Sequence, residues 1–192
     1  MNNKFTESAK KAVNYSQEIA GQLSHNYVGT EHLLIGLLDS EGVAKAVLEK
    51  NGVDKKDVIE LVRQIIAPNT TIEAVPASGF TPRTKRILDN SLREAMRLKS
   101  PTVGTEHILL ALIKETDCIA VRLLNTLSVN IQKLYIDILT AIGGDVHTAK
   151  NDFMANKNKG KGKSKSNTPT LDQYSRDLTE YAKEGKLDPV IG

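Results

Sequence analysis

The sequence of 192 residues has little of what would hold some classes of protein together or send a protein to a membrane. Its single cysteine, Cys118, excludes an internal disulfide and a cysteine-rich zinc site. No apolar run approaches the ~18–20 residues of a membrane-spanning helix, and the first residues lack the apolar segment of a secretory signal. We therefore predict a cytoplasmic protein with no membrane partner, whose fold depends on burial of apolar side chains.

Motifs that bind nucleotides or catalytic metals are also missing from the sequence. It contains no Gly-x-x-x-x-Gly-Lys-Ser/Thr loop, no Gly-x-Gly-x-x-Gly, no His-Glu-x-x-His and no Cys-x-x-Cys. His32 and His107 have too few neighbouring ligand residues for a metal site, so we predict packed, hydrogen-bonded histidines, and Cys118 is predicted to be a small core residue. The sequence thus predicts no enzyme, no cofactor and no metal for this chain.

The basic charge of the protein is concentrated in one segment. The formal net charge of +3 and the isoelectric point near 8.9 are typical of nucleic-acid-binding proteins. However, six lysines and one aspartate lie between His147 and Thr170, which leaves the rest of the chain slightly acidic. No aromatic residue alternates with these lysines to stack on bases. Nucleic-acid binding through this tail is therefore a minor alternative.

An internal repeat is the most informative feature of the sequence. The segment Val28–Leu34, Val-Gly-Thr-Glu-His-Leu-Leu, recurs as Val103–Leu109, Val-Gly-Thr-Glu-His-Ile-Leu, at a spacing of 75 residues. Phe5-Thr6 recurs as Phe80-Thr81 at the same spacing. A period of this length indicates that one supersecondary unit has been duplicated. Two copies of the unit fill residues 1–145.

Each copy of the repeat has the pattern of four helices. Thr6 and Thr81 are candidate N-caps of amphipathic helices, and Thr30 and Thr105 are candidate N-caps of shorter helices that are almost wholly apolar and therefore central. Two more helices follow in each copy, and no convincing alternating strand pattern occurs. The predicted fold is all-α, with two pseudo-symmetric four-helix repeats.

The chain divides into three predicted parts. The double repeat occupies residues 1–145, with its first copy at about 1–70 and its second at about 76–145. Residues 146–169, rich in Lys, Asn, Gly and Ser, are predicted to form a flexible linker because they offer little apolar surface to bury. Residues 170–192 have a short helical pattern that cannot form a core alone, and they are predicted to begin a further domain.

The candidate functional residues are two threonines and two glutamates that the repeat duplicates. Thr6 with Glu31, and Thr81 with Glu106, give each unit one helix N-terminus and one carboxylate. The simplest interpretation is local: the threonines cap helices and the glutamates complement helix dipoles. The alternative is a bipolar ligand such as phosphoarginine, since a helix N-terminus binds phosphate and a carboxylate pairs with a guanidinium group. Spacing alone leaves both interpretations open.

These residues carry a family resemblance. The segment His25–Leu34, with its second copy, resembles the N-terminal repeat domain of the ClpC family of protein-unfolding ATPases, and so does Phe80–Arg83. Thr168–Asp172 and Leu187–Gly192 are similar to the segment that leads into the first ATPase module of that family. The resemblance covers nearly the whole chain.

The resemblance implies a domain that docks substrates and adaptors onto a hexameric ATPase ring, which unfolds proteins and feeds them to a peptidase ring. It implies binding of arginine-phosphorylated proteins, with Glu31 and Glu106 on the guanidinium groups and Thr6 and Thr81, with nearby backbone N–H groups, on the phosphates. Adaptors of the MecA type are further implied partners. The cofactor ATP is expected for the ATPase modules and not for this chain.

Two departures from the family pattern affect these expectations. Ser8 aligns with Arg83, so the two pockets are expected to differ in phosphate affinity. The chain also stops where an ATPase module should begin. Two alternatives follow: a piece of a larger unfoldase, or a free-standing repeat protein that binds the same ligands without a motor.

Overall fold

A computed structural model describes residues 4–66 and 79–144 of the chain. Within these residues there are eight helices and no strand, which confirms the predicted all-α fold with four helices in each repeat. The helices are α1 Glu7–Gln22, α2 Thr30–Asp39, α3 Val43–Lys50, α4 Lys55–Ile65, α5 Pro82–Arg97, α6 Thr105–Lys114, α7 Ile119–Thr126 and α8 Ile131–Ala141. The predicted linker at 146–169 and the predicted helix at 170–192 lie outside the described residues.

None of the helices in this described part is long and apolar enough to cross a membrane. All of it belongs to one compact unit, Met1–Ala155.

Side-chain oxygen atoms cap the N-termini of four helices, and two of these caps, Thr6 and Thr81, are those that the sequence predicts. The Thr6 hydroxyl accepts a hydrogen bond from the Ala9 N–H at 3.2 Å, and the Thr81 hydroxyl accepts one from the Thr84 N–H at 3.2 Å. The fourth helix of each repeat is capped in the same way, by Asp54 and Asn130. Each cap satisfies a backbone N–H that has no partner within its own helix.

The prediction that Thr30 and Thr105 are N-caps is wrong. The caps are Gly29 and Gly104, both extended, and the two threonines are the first helical residues of α2 and α6. A threonine one position into the helix cannot cap that helix with its side chain, so both hydroxyl groups are available to another helix.

Both threonine hydroxyls bind helices of the opposite repeat. Thr30 Oγ1 accepts from the Ala120 N–H at the start of α7 at 3.2 Å. Thr105 Oγ1 accepts from the Ala44 N–H at the start of α3 at 3.3 Å. Each repeated motif therefore caps a helix of the other repeat, and the capped N–H groups are buried.

The apolar helices α2 and α6 lie at the centre of the molecule, as predicted. Every residue of α2 from Thr30 to Leu38 is buried, and so is every residue of α6 from Thr105 to Ile113 except Glu106. Their side chains belong to one hydrophobic cluster that includes residues from all eight helices. The two repeats therefore share a single core.

Two short backbone contacts link the repeats and set the position of the candidate site. The Thr6 N–H donates to the Val103 carbonyl at 2.9 Å, and the Thr81 N–H donates to the Val28 carbonyl at 3.0 Å. The start of α1 is thereby held beside the loop before α6, and the start of α5 beside the loop before α2.

Candidate functional site

The structure brings Glu31 together with Thr81, not with Thr6. Both residues line one cavity of about 100 Å³, together with Arg83. The Val28–Thr81 backbone contact explains the pairing, because it places the N-terminus of α5 beside the Gly29-Thr30-Glu31 segment. The pairing expected from the sequence, one threonine and one glutamate of the same repeat, is therefore corrected.

The second pair of candidate residues follows the same crossed arrangement. Thr6 is bonded to Val103, which directly precedes Gly104 in the segment that contains Glu106. The Glu31 pocket thus takes its carboxyl group from one repeat and its helix N-terminus from the other, and the Thr6–Val103 bond gives the equivalent region, the Glu106 pocket, the same crossed origin. This arrangement is what a ligand with a cationic end and an anionic end requires, because the two ends meet groups of opposite charge.

Glu31 is fully buried, and its Oε1 atom has no hydrogen-bond partner. Its Oε2 atom accepts a long hydrogen bond of 3.4 Å from the Thr30 hydroxyl, which itself accepts from the Ala120 N–H. Burial raises the pKa of the Glu31 carboxyl group above its usual value. A buried carboxyl oxygen without a hydrogen-bond partner lowers the stability of the folded protein. A ligand that donates a hydrogen bond to this oxygen would remove that cost.

Neutral histidines lie behind Glu31 and supply it with no positive charge. Burial, together with the neighbouring His25, lowers the pKa of His32 to about 3. The Gly29 N–H donates to Nδ1 of His32 at 2.9 Å, so the proton of this neutral ring resides on Nε2 and is donated to Nδ1 of His25 at 2.8 Å. The prediction of a packed, hydrogen-bonded His32 is confirmed.

Glu106 differs from Glu31 although both stand in the same Gly-Thr-Glu-His motif. In both repeats Oε1 of the glutamate lies near Nδ1 of the following histidine, at 3.2 Å for Glu106 and 3.4 Å for Glu31, but the Glu106 side chain is 17% exposed and the Glu31 side chain is fully buried. Burial acts to raise the pKa of Glu106, but interactions with His107, its own backbone N–H and Thr105 outweigh burial and lower this pKa. The environment of Glu106 therefore favours the charged form that pairs with a cation, whereas burial disfavours the charged form of Glu31.

Arg83 adds a positive charge at one pocket only. It lines the cavity with Glu31, and its guanidinium group also contacts the Asp117 carbonyl and Glu115. Ser8 occupies the equivalent position in the first repeat. The Glu31 pocket thus combines a buried carboxyl group of raised pKa with an arginine, and the Glu106 pocket has a partly exposed carboxyl group of lowered pKa without that arginine.

Opposite pKa shifts predict opposite effects of two matched substitutions on stability. Glu31 has a raised pKa in the folded protein, so the wild type loses stability as the pH rises above about 4.3, whereas Glu31→Gln does not. Glu106 has a lowered pKa in the folded protein, so its ionised carboxyl group adds to the stability of the fold at neutral pH, and this added stability is lost on acidification. At pH 7 we expect Glu31→Gln to be more stable than wild type and Glu106→Gln to be less stable.

Urea unfolding of the two variants and the wild type between pH 4 and pH 8 checks this prediction. Each unit of pKa shift corresponds to about 1.4 kcal/mol in the free energy of unfolding. The differences from wild type should diverge as the pH rises. Parallel profiles for the two variants would show that the two carboxyl groups have equivalent environments.

Two residues of the Glu31 pocket could not be found by sequence reasoning. Tyr27 and Ile119 line the cavity, and Ile119 comes from the opposite repeat. Tyr27 has Thr102 as its counterpart in the second repeat, so the duplicated motif did not include it. Among the described residues, no group of three His, Cys, Asp or Glu side chains is arranged to hold a metal ion.

Comparison with known proteins agrees with the fold and the motif. The family model of the Clp repeat (R) N-terminal domain matches this sequence at residues 4–127 and 79–185. ClpC, the ATP-binding subunit of an ATP-dependent Clp protease, is 42% identical over 190 residues in Staphylococcus saprophyticus and 43% identical over 190 residues in Staphylococcus aureus strain USA300. These alignments cover 98% of this chain, which spans 22% of the length of those relatives.

A solved structure extends the similarity to the arrangement of helices. The N-terminal domain of the chaperone ClpD from Arabidopsis thaliana is 26% identical, with a TM-score of 0.61, and the match covers 72% of this chain and 97% of that domain. The duplicated four-helix architecture, the twin Gly-Thr-Glu-His motif and these matches lead to one assignment. The chain belongs to the Clp repeat N-terminal domain family and is an N-terminal repeat domain of the ClpC type.

Proposed function

We propose that this domain docks substrates and adaptors for an ATP-dependent protein unfoldase that works with a peptidase ring, and that it recognises arginine-phosphorylated proteins. The family membership supports the docking role, because the relatives are ATP-binding subunits of a Clp protease. A cytosolic location is part of the same proposal. ATP hydrolysis and contact with the peptidase are proposed for the remaining length of such a protein, since the chain spans 22% of its relatives.

The observation that supports the ligand most strongly is the crossed pocket. Glu31 faces the same small cavity as the N-terminus of α5 at Thr81, and one buried oxygen of Glu31 has no partner. A guanidinium group would give that carboxylate two parallel hydrogen bonds, and the helix N-terminus with Arg83 would bind phosphate. By the repeat symmetry, Glu106 and Thr6 have the same roles at the second pocket.

Adaptors of the MecA type are the second class of proposed partner. Their docking is proposed from the resemblance to the ClpC family, and no residue of the chain is assigned to it. The ligand proposal and the adaptor proposal are independent, since phosphoarginine binding needs only the two pockets.

Isothermal titration calorimetry of the whole chain with phosphoarginine tests the ligand proposal. We expect two binding sites, and the loss of one site in each of Glu31→Ala and Glu106→Ala. The double variant should bind at least about a hundredfold more weakly, because hydrogen bonds to charged groups contribute roughly 1.5–3 kcal/mol each. Arginine and inorganic phosphate, which each supply one end of the ligand, should bind far more weakly than phosphoarginine.

Glu49→Ala is a matched control, since this glutamate is exposed on α3, away from both pockets. It should leave the titration unchanged. No heat with the wild type, or equal affinity in the wild type and the double variant, would reject phosphoarginine as the ligand.

A further inference from the structure

Gly29 and Gly104 stand two residues before the acidic residues of the two pockets, and their backbone conformation does not require glycine. The φ and ψ angles are −87° and 179° at Gly29, and −91° and 177° at Gly104. These values are in the extended region, which any residue can adopt. What glycine provides at these positions is the absence of a side chain.

The missing side chain leaves room for the carboxyl group of the pocket. A Cβ atom added to Gly29 would lie 2.1 Å from Oε1 of Glu31 and 2.5 Å from both Cδ and Oε2. The same three distances hold between a Cβ atom on Gly104 and the carboxyl group of Glu106. Ordinary contacts between such atoms are about 3.5–4.0 Å. In both repeats the carboxyl group therefore occupies the space that a side chain would take.

Among the described glycines, only these two would place a Cβ atom against the carboxyl group of a pocket. A Cβ atom added to Gly21, within α1, would meet nothing within 4 Å. Gly29 is further fixed by its N–H, which donates to His32, and Gly104 by its N–H, which donates to His107. The backbone cannot easily turn away to make room for a side chain.

We infer that Gly29 and Gly104 are positioning residues of the two pockets, because they let the neighbouring carboxyl group fold back over the backbone to the place where it meets the cationic end of the ligand. The identity of that ligand rests on the proposed function, whereas the position of the carboxyl group does not. Alanine at either position would displace the carboxyl group without removing it.

The two pockets should respond to such a displacement differently. Glu31 is fully buried, so its carboxyl group can move only into the adjoining cavity of about 100 Å³ or force the backbone apart. The Glu106 side chain is 17% exposed and can swing toward solvent. We therefore expect Gly29→Ala to lower the melting temperature more than Gly104→Ala does.

A double-mutant cycle measures whether each glycine acts through its glutamate. Melting temperatures are compared for the wild type, Gly29→Ala, Glu31→Ala and the combination of both, and for the equivalent set at Gly104 and Glu106. We expect Gly29→Ala to lower the melting temperature by about 2–6 °C in the wild type and by nothing in the Glu31→Ala background. Gly21→Ala is the control, with the same small effect in either background.

Measurements of ligand binding test whether the two glycines also matter for function. In the variant with both Gly29→Ala and Gly104→Ala, the affinity for phosphoarginine measured by calorimetry should fall at least about tenfold, because misplaced carboxylates lose the parallel hydrogen bonds to the guanidinium group. Gly21→Ala should leave the affinity unchanged.

Each outcome decides one part of the inference. Equal effects of Gly29→Ala in the two backgrounds would show that the glycine does not act through Glu31, and an unaltered affinity in the double glycine variant would overturn the positioning role in binding. If Gly29→Ala does not fold, the added Glu31→Ala change should restore folding, and the Gly104 set provides the second measurement. If the wild type binds no phosphoarginine, the proposed function fails, while the melting temperatures still test the carboxyl position.

Discussion

Gly36→Ala should lower the melting temperature by about 6–12 °C, which corresponds to about 3 kcal/mol for a chain of this size. Gly36 lies in the middle of α2, where it packs on α1. A Cβ atom at this position would lie 2.1 Å from the Ala12 carbonyl oxygen and 3.3 Å from the Ser16 nitrogen. Both atoms belong to the backbone of α1, so no side-chain rotation relieves the contact and the two helices must separate. Differential scanning calorimetry of the variant measures the effect.

The second repeat supplies a control for this prediction. Ala111 occupies the position of Gly36 in α6 and is buried with its Cβ in place. Ala111→Gly removes one methyl group and adds a glycine to a helix, for which we expect a loss of about 1 kcal/mol, or about 2–4 °C. A Gly36→Ala variant that melts within 2 °C of the wild type would show that α1 and α2 are not in backbone contact.

The difference between Gly36 and Ala111 reflects two ways of packing the same helix pair. The face of α1 toward α2 has small buried residues, among them Ala12 and Ser16, whereas α5 has the larger Ile87 at the position of Ala12. A small face permits close approach of two helix backbones, and a larger residue requires more distance. The repeats thus keep one fold with residues of different size at the same helix contact.

Much of this fold could be predicted from the sequence, because the evidence for it is local. The caps at Thr6, Thr81, Asp54 and Asn130 each bond to a backbone N–H two or three residues away, within the range that sequence patterns describe. The apolar α2 and α6 could be placed at the centre because they have no polar face to turn to solvent.

The arrangement between repeats could not be predicted from the same patterns. Thr30 bonds to Ala120, 90 residues away, and Thr105 bonds to Ala44, 61 residues away. Because the threonines are equivalent in the two repeats, the sequence is consistent with contacts inside a repeat and with contacts across repeats. Only the relative placement of the helices decides between them, and it also decides that Glu31 faces Thr81.

The unequal burial of Glu31 and Glu106 could not be predicted from the repeated motif either. The letters Gly-Thr-Glu-His are the same in both repeats, but the preceding segment is His25-Asn26-Tyr27 in one and Ser100-Pro101-Thr102 in the other. His25 pairs with His32, and Tyr27 lines the cavity with Glu31. These aromatic rings exclude water on the Glu31 side, so one motif gives two electrostatic environments.

Leu34→Ala is the second substitution for which we expect a large effect, and it tests whether the shared core makes the repeats unfold together. Leu34 is fully buried in α2 and belongs to the cluster that joins both repeats. Truncation of a buried leucine costs about 2–5 kcal/mol. If the core is a single unit, this loss should appear in the second repeat as well as in the first. The backbone contacts at Val28 and Val103, which bond residues of opposite repeats, support the same expectation.

Native-state hydrogen exchange distinguishes cooperative from independent unfolding. In Leu34→Ala, the most protected amides of α8 in the second repeat should exchange at least about thirtyfold faster, by the same factor as those of α3 in the first repeat. Met96→Ala is the control, since Met96 is 68% exposed on α5 and its truncation should change exchange by about twofold or less. Faster exchange confined to α1–α4 would mean that each repeat is stable alone. In that case the crossed pockets would join two independent modules, and a ligand bound between them would have to hold the modules together. A single cooperative core instead keeps both halves of each pocket in place before the ligand binds.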